Sequence, residues 1–431
     1  MPQLKRQLGL FQTTMYGVGL ILGAGIYALI GDAAGKAGNS VWISFVIAAI
    51  SAVFTGLSYA ELSSIYPKAA AEYTYIKKAF RSNFVAFLIG WMTLFVSVIA
   101  SATIALGFSG YFIQIFHIPI VIGAILIISV LSFMNYFGIR ESSSMNVVFT
   151  IIEASGLAIV IWAGMSISGV HINYLETPNG FAGIFSAFTL VFFAYIGFEN
   201  IANIAEEIKN PKKILPRAII LAISITAVLY ILVSVSAVRV LDWQELGSSL
   251  APLSDVIKTA LGQEWSFIIS VIALFATTNT VLITLVSGSR ILYGVSRDKA
   301  LPSIFSKIHQ KRNTPWIAVS VIGLLSACFV FIGDIDTVAN ISVFVIIMIF
   351  IIVNISLILL RYREPNTERQ FRSPINIGKF PVLAALGIIT PIFGIIQLNS
   401  FVIFTGLIVV VLGASFYFAY EKIKKIRTAR G

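Results

Sequence analysis

The chain has 431 residues, 58% of them hydrophobic and only 11% charged, with a formal net charge of +11. A water-soluble domain carries about a quarter charged residues, so the composition excludes one. Apolar runs of about 20 residues, the length that crosses a bilayer as a helix, recur from end to end. Twelve such spans are expected, near residues 10–31, 40–63, 84–112, 118–137, 145–168, 183–206, 216–240, 265–294, 316–333, 337–360, 380–397 and 400–420. The reading is an all-α polytopic membrane protein with short loops. The single cysteine, Cys328, falls inside a span and excludes an intrachain disulfide. His117, His171 and His309 lie at span ends or in loops, so neither a metal site nor a cofactor is expected.

The basic balance raises nucleic acid as a partner, and its distribution argues against that. With the N-terminus placed in the cytoplasm, only Lys36, Arg239 and Lys258 of the 30 lysines and arginines fall outside. That is the positive-inside pattern, and it puts both termini in the cytoplasm. The basic tail EKIKKIRTARG is expected to touch anionic lipid. The N-terminus runs straight into the first span, so no cleavable leader is expected.

The first span contains GVGLILGAGIYALIG, residues 17–31, with five glycines. Each costs about 1 kcal/mol against alanine in a helix interior. Gly23 and Gly25 bracket one small residue, so the backbone can leave helical geometry there. Lipid cannot satisfy the polar groups a break exposes, so a break must face a protein-lined cavity. The half-helix that follows aims its positive end into that cavity and suits an anion. The alternative is that these glycines only let helices pack closely.

The sixth run, GIFSAFTLVFFAYIGFENIANIAEE, is interrupted in the same way at Gly197, beside Glu199 and Asn200. Polar groups at that depth are expensive. Paired interruptions in the first and sixth spans point to two five-span halves of opposite topology with a site at the midplane. The expected division is 1–170 for the first half, 171–364 for the second, and 365–431 for two further helices and the tail.

The motifs carry a family resemblance. Gly23-Ala24-Gly25-Ile26-Tyr27, Tyr59-Ala60-Glu61-Leu62, Ala71-Glu72-Tyr73-Thr74-Tyr75, FFAYIGFENIANIAEEIKNPKKILPRAI (192–219), SRILYGVSRDKALP (289–302) and FRSPI (371–375) follow in this order. Together they resemble the amino acid–polyamine–organocation superfamily, and its cationic-amino-acid-transporter-like permeases in particular. The resemblance covers essentially the whole chain. It implies a leucine-transporter-like core of ten helices plus two. It also implies transport of amino acids or related amines by alternating access.

An amino acid needs a site with an anion end and a cation end. The N–H groups of Gly23, Ala24, Gly25 and Ile26 are the expected carboxylate site. The carbonyls of Phe193, Ala194, Tyr195 and Ile196, at the negative end of the outer half of the sixth span, suit the ammonium. The resemblance places the aromatic that closes over substrate at Phe193, with Tyr195 the neighbouring candidate. Glu199 matches an acidic position of the family, and is expected to cap the inner half-helix, to take part in transport, or both.

Glu153 is the one charge in the fifth span, SSMNVVFTIIEASGLAIVIWAG. Some proton-coupled relatives carry a lysine at this place, and the acid departs from that pattern. Burial disfavours the charged form of a carboxyl group, so an acid here could load and release a proton. It could instead hold sodium with Thr277, Thr278 and Thr280, or be structural. The partners expected are an amino acid or amine, protons or sodium, and the bilayer of the cytoplasmic membrane. No nucleic acid and no obligatory partner chain is expected.

A membrane enzyme would need a nucleophile–base pair or metal ligands at depth, and the spans offer neither. The alternatives left standing are an exchanger without net ion coupling and a sodium symporter. A transporter-fold receptor is more remote.

Overall fold

The computed structural model describes residues 6–68, 71–137, 143–167, 169, 171–297, 300–310, 312 and 314–430, with the side chains of 24, 143–145 and 423–430 outside that description. In lipid a backbone must satisfy its own polar groups, and the apolar runs do so as helices. In chain order these are α1 (Leu10–Ala37), α2 (Val41–Ile65), α3 (Ala71–Phe80), α4 (Asn83–Phe116), α5 (Ile120–Phe137), α6 (Ser143–Ser166), α7 (Gly180–Tyr195) and α8 (Asn200–Asn203). Then come α9 (Pro211–Val240), α10 (Trp243–Ser248), α11 (Pro252–Leu261), α12 (Gln263–Arg297), α13 (Trp316–Val330), α14 (Ile335–Arg363), α15 (Val382–Ile396) and α16 (Ser400–Arg430).

Among the described residues, nine helical stretches are long and apolar enough to cross a membrane, and three more apolar helices are shorter. Their outer faces carry Phe133, Trp162, Met165, Phe181, Leu324 and Phe404, all more than half exposed. Water would not tolerate so continuous an apolar surface, and lipid does.

α1 is central. It packs against α7, α9, α6 and α10, and also touches α4 and α12. Its backbone is pinned by side chains from those neighbours. Thr150 of α6 donates to the Met15 carbonyl at 3.2 Å, and Tyr111 of α4 donates to the Tyr27 carbonyl at 2.8 Å. The chain ahead of α1 pairs with the chain after α8: Leu8 N–H donates to Glu207 O, and Lys209 N–H to Leu8 O, both at 3.0 Å.

Three short helices differ from the expected pattern of spans and plain loops. α3 lies between α2 and α4, and α10 and α11 lie between α9 and α12. α3 is strongly amphipathic, burying Ala71, Glu72, Tyr75, Ile76 and Ala79 while Lys77 and Lys78 are exposed. α10 seals one end of α1 by backbone contact: a Cβ on Gly35 would meet Gly247 Cα at 3.3 Å, and one on Gly31 would meet Leu246 O at 2.6 Å. A hairpin of β1 (Asn376–Ile377) and β2 (Phe380–Pro381) turns through Gly378, at φ +62.

Candidate functional site

The two expected breaks exist and meet each other. Gly23 has φ −10 and ψ −135, which interrupts the helical ladder, and the apolar helix resumes at Gly25. α7 stops at Tyr195, and Gly197 sits at φ +131, a region that side chains rarely enter. A Cβ on Gly197 would also lie 2.9 Å from the Leu20 carbonyl oxygen, so glycine is required there on two counts. A Cβ on Gly25 would lie 2.5 Å from Ala194 Cα. The first and sixth spans therefore touch backbone to backbone where both are broken. The inner continuation of the sixth span is shorter than expected, being only the four residues of α8.

A cavity opens beside this contact. Its free volume is about 100 Å³, room for a small molecule rather than a single water. It is lined by Tyr16, Leu20, Ile21 and Gly25 of α1, by Val96, Ser97, Ala100 and Ile104 of α4, and by Phe193, Ala194, Ile196, Gly197, Glu199 and Asn200 at the second break. Thr280, Ile283, Thr284 and Ser287 of α12 complete it. The lining is mostly apolar, holds one carboxylate and contains no cation.

The expected residues divide. Gly25, Phe193, Ala194, Ile196, Glu199 and Thr280 line the cavity. Gly23 packs under Thr280, whose Oγ1 would be 2.5 Å from an added Cβ. Ile26 is fully buried, and the Ala24 side chain lies outside the described residues. Tyr195 turns away, its hydroxyl donating to the Phe45 carbonyl of α2 at 3.2 Å. Of the two candidates on the sixth span, Phe193 is the one that lines the cavity, where Tyr16 of α1 is a second aromatic.

Glu199 has both oxygens engaged. Oε2 accepts from Gly197 N–H at 2.8 Å, and Oε1 accepts from Asn200 Nδ2 at 3.0 Å. The carboxylate clasps the break it follows.

Glu153 is fully buried outside the cavity lining. Oε1 lies 3.4 Å from Asn279 Nδ2, and Oε2 has no hydrogen-bond partner among the described residues. Its backbone carbonyl accepts from Tyr27 Oη at 2.7 Å, which ties α6 to the resumed half of α1. No lysine or arginine forms an ion pair with it among the described residues. Thr277 and Thr280 turn their hydroxyl protons onto carbonyls of their own helix, at Ala273 and Ala276, and Thr278 is half-buried outside the cavity. Asn279 of α12 is the side chain that reaches Glu153.

Tyr230 of α9 is the residue sequence reasoning missed. Its hydroxyl donates to Ile21 O of α1 and also lies 3.1 Å from Ala194 O of α7. Both carbonyls lie within four residues before a break, where the i to i+4 ladder loses its donor. One buried hydroxyl thus reaches carbonyls beside both breaks. The sequence offered little signal, because Ser224, Thr226, Ser234 and Ser236 place other hydroxyls in the same run.

Comparison with known proteins follows the same lines. A family described as amino acid permease matches residues 8–419. The chain is 32% identical to the branched-chain amino acid permease BcaP of Bacillus subtilis (strain 168), over 97% of this chain and 94% of that protein. It is 30% identical to the methylthioribose transporter of the same organism, again over 97% and 94%. It is 29% identical to the vacuolar cationic amino acid transporter 4 of Arabidopsis thaliana, over 84% of this chain and 64% of that protein.

Proposed function

We propose that this chain, which belongs to the amino acid permease family, imports neutral amino acids by alternating access and couples uptake to protons through Glu153. Family membership makes it a multi-pass transporter and not an enzyme.

The observation that carries the reading is the cavity at the meeting of two broken helices. The positive start of the half-helix at Gly25 suits a carboxylate, and the carbonyl end of α7 suits an ammonium. Val96, Ala100, Ile104, Ile283 and Phe193 leave an apolar space for the side chain. Glu199, the one acid in the lining, is tied to the break by Gly197 N–H and Asn200 Nδ2, and the rest of the lining holds no charge. A relative named for branched-chain amino acids fits that lining.

The proposed architecture has twelve spans in the cell membrane, counting α1 as one interrupted span and omitting α3, α8, α10 and α11. Spans one to five and six to ten form the inverted repeat, and both termini are cytoplasmic. Support comes from the pattern of contacts. α1 packs on α7, α2 on α9, α4 on α12 and α5 on α13, each helix on its counterpart five spans later. Cross-contacts also come in mirrored pairs: α1 with α9 and α7 with α2, α4 with α14 and α12 with α6.

An inward-facing state is supported by Tyr16, Asn200 and Ser287, which extend the cavity along the N-terminal half of α1. The opposite end is closed by the glycine contacts of α10 and by the Lys36 to Asp336 ion pair at 3.0 Å. Asp336 holds α14 to α1 there.

A buried carboxyl group with an unpartnered oxygen and no cation needs a proton or an ion. Asn279 joins it to α12 one residue from Thr280, which packs on Gly23. Proton loading at Glu153 therefore bears on the helix that carries the first break. Uptake of labelled leucine into proteoliposomes tests this, with and without an inward proton gradient. The gradient should drive accumulation in the wild type. Glu153→Gln should still exchange internal for external leucine but no longer accumulate it. Uptake that ignores the gradient and requires internal amino acid would make the protein an exchanger.

A further inference from the structure

A second cavity lies where α2, α3 and α4 meet, and it shares no lining residue with the first. It measures about 420 Å³, and Lys68, Lys77, Lys78, Arg81, Asn83 and Glu364 line it. All four cations are exposed, and none forms an ion pair with a carboxylate among the described residues. The single acid, Glu364, is occupied: it accepts from the Tyr66 hydroxyl and the Thr367 hydroxyl. Burial and that carboxylate raise the Tyr66 phenol above its usual range, so it stays a donor.

Membrane topology explains why these loop residues are basic. It does not explain why they converge. Convergence comes from the turn at Arg81, held at φ +54 with its N–H bonded to Lys77 O at 3.0 Å. That turn sets the start of α4 beside the end of α3, so the unpaired N–H groups of a 34-residue helix add their partial positive charge to the four cations. The platform is fixed from below by Arg363 of α14, which donates to Ala79 O.

The depth of the cavity is marked by aromatic rings. Phe84, one residue past Asn83, stacks on Phe418 at 5.1 Å and meets Tyr417 at 5.2 Å on α16. Such belts sit at the level of lipid headgroups. We propose that this cavity binds the phosphate group of an anionic phospholipid of the inner leaflet, with Lys68, Lys77, Lys78 and Arg81 as its ligands. A free phosphate or phosphate monoester offers the same chemistry, and the position beside the aromatic belt favours the lipid.

The test is binding to the purified full chain in neutral detergent. The probes are dioctanoyl phosphatidylglycerol, dioctanoyl phosphatidylcholine and inorganic phosphate. Phosphatidylglycerol should bind at least about tenfold more tightly than phosphatidylcholine, and each cation removed should weaken it about fivefold. Lys77→Gln/Lys78→Gln/Arg81→Gln should therefore lose roughly a hundredfold, while Lys212→Gln/Lys213→Gln, outside the cavity, stays within about twofold. Glu364→Gln removes the one opposing charge and should tighten binding, which decides the matter if the triple variant fails to elute as a single species. Equal binding of the two lipids, or a triple variant that binds like wild type, overturns the proposal. Inorganic phosphate binding as tightly as phosphatidylglycerol would overturn the lipid assignment.

Discussion

Tyr230→Phe isolates the contact that holds the two breaks in register. The ring itself stays packed, since its edge contacts with Phe45 at 5.8 Å and Tyr195 at 5.2 Å do not use the hydroxyl. What is lost is one proton shared by Ile21 O and Ala194 O. A buried acceptor left without its donor costs about 1–3 kcal/mol, and here one donor serves two acceptors. Unfolding in mixed micelles by a denaturing detergent should show a loss in that range. The transport site should feel it too, because the half-helices must then be ordered by substrate. A loss of about 1–2 kcal/mol of preorganisation raises the half-saturating amino acid concentration about 5- to 30-fold. Tyr195→Phe is the control. Its hydroxyl serves only Phe45 O on the far side of α7, so it should lower stability modestly and leave half-saturation unchanged. If Tyr230→Phe matches wild type in both measurements, the hydroxyl does not hold the breaks together. If both variants shift half-saturation equally, the effect is general loosening.

Two further outcomes follow from contacts that have no slack. Gly25→Ala drives a Cβ into the Ala194 backbone, and overpacking of this kind costs about 1–3 kcal/mol; since the strain falls on the cavity wall, substrate binding measured by thermal stabilisation should be lost before folding is. Glu61 of α2 and Arg361 of α14 form a buried bidentate pair, completed by Ser373 N–H at 2.8 Å and by Arg369. Breaking such a pair costs about 3–5 kcal/mol, so Arg361→Gln should yield little folded protein, while a Glu61→Gln/Arg361→Met double variant should recover part of the loss on fluorescence-detected size exclusion.

Most of the fold was legible because a bilayer leaves a chain few options. The nine long apolar helices among the described residues follow from length and hydropathy alone, and the two breaks follow from glycines where glycine is otherwise unfavourable. Gly23, Gly25 and Gly197 announced themselves by violating local propensity. The short helices α3, α10 and α11 were not legible, because they are too short or too polar to stand out against loop sequence. The site was legible on its backbone side and obscure on its side-chain side. Phe193 and Tyr195 are two residues apart in the same apolar run, and only the direction of each side chain separates the one facing the cavity from the one bonded to Phe45. Val96, Ala100, Ile104 and Ile283 read as ordinary apolar positions, because a cavity wall and a packed core use the same residue types. Asn279 and Glu153 are 126 residues apart, and nothing in either span declares the other.

The two breaks also explain each other. A helix interrupted in lipid leaves donors on one side and acceptors on the other, and each must find a partner. Here the partners are assigned unequally. The carbonyls of Ile21 and Ala194 receive the Tyr230 hydroxyl, and the Gly197 N–H is taken by Glu199. The neighbouring side chains thus satisfy the groups that must stay bonded whatever the site contains. On the proposed mechanism, substrate completes the remainder. Its carboxylate meets the first N–H groups of the helix resumed at Gly25, and its ammonium meets carbonyls that still carry a second lone pair. Glu199 and Glu153 then divide between structure and coupling by their surroundings. The first has a donor on each oxygen, and the second has one weak donor and an open oxygen. On that mechanism Glu153 carries the proton, since neither of its oxygens bonds the break that forms the site.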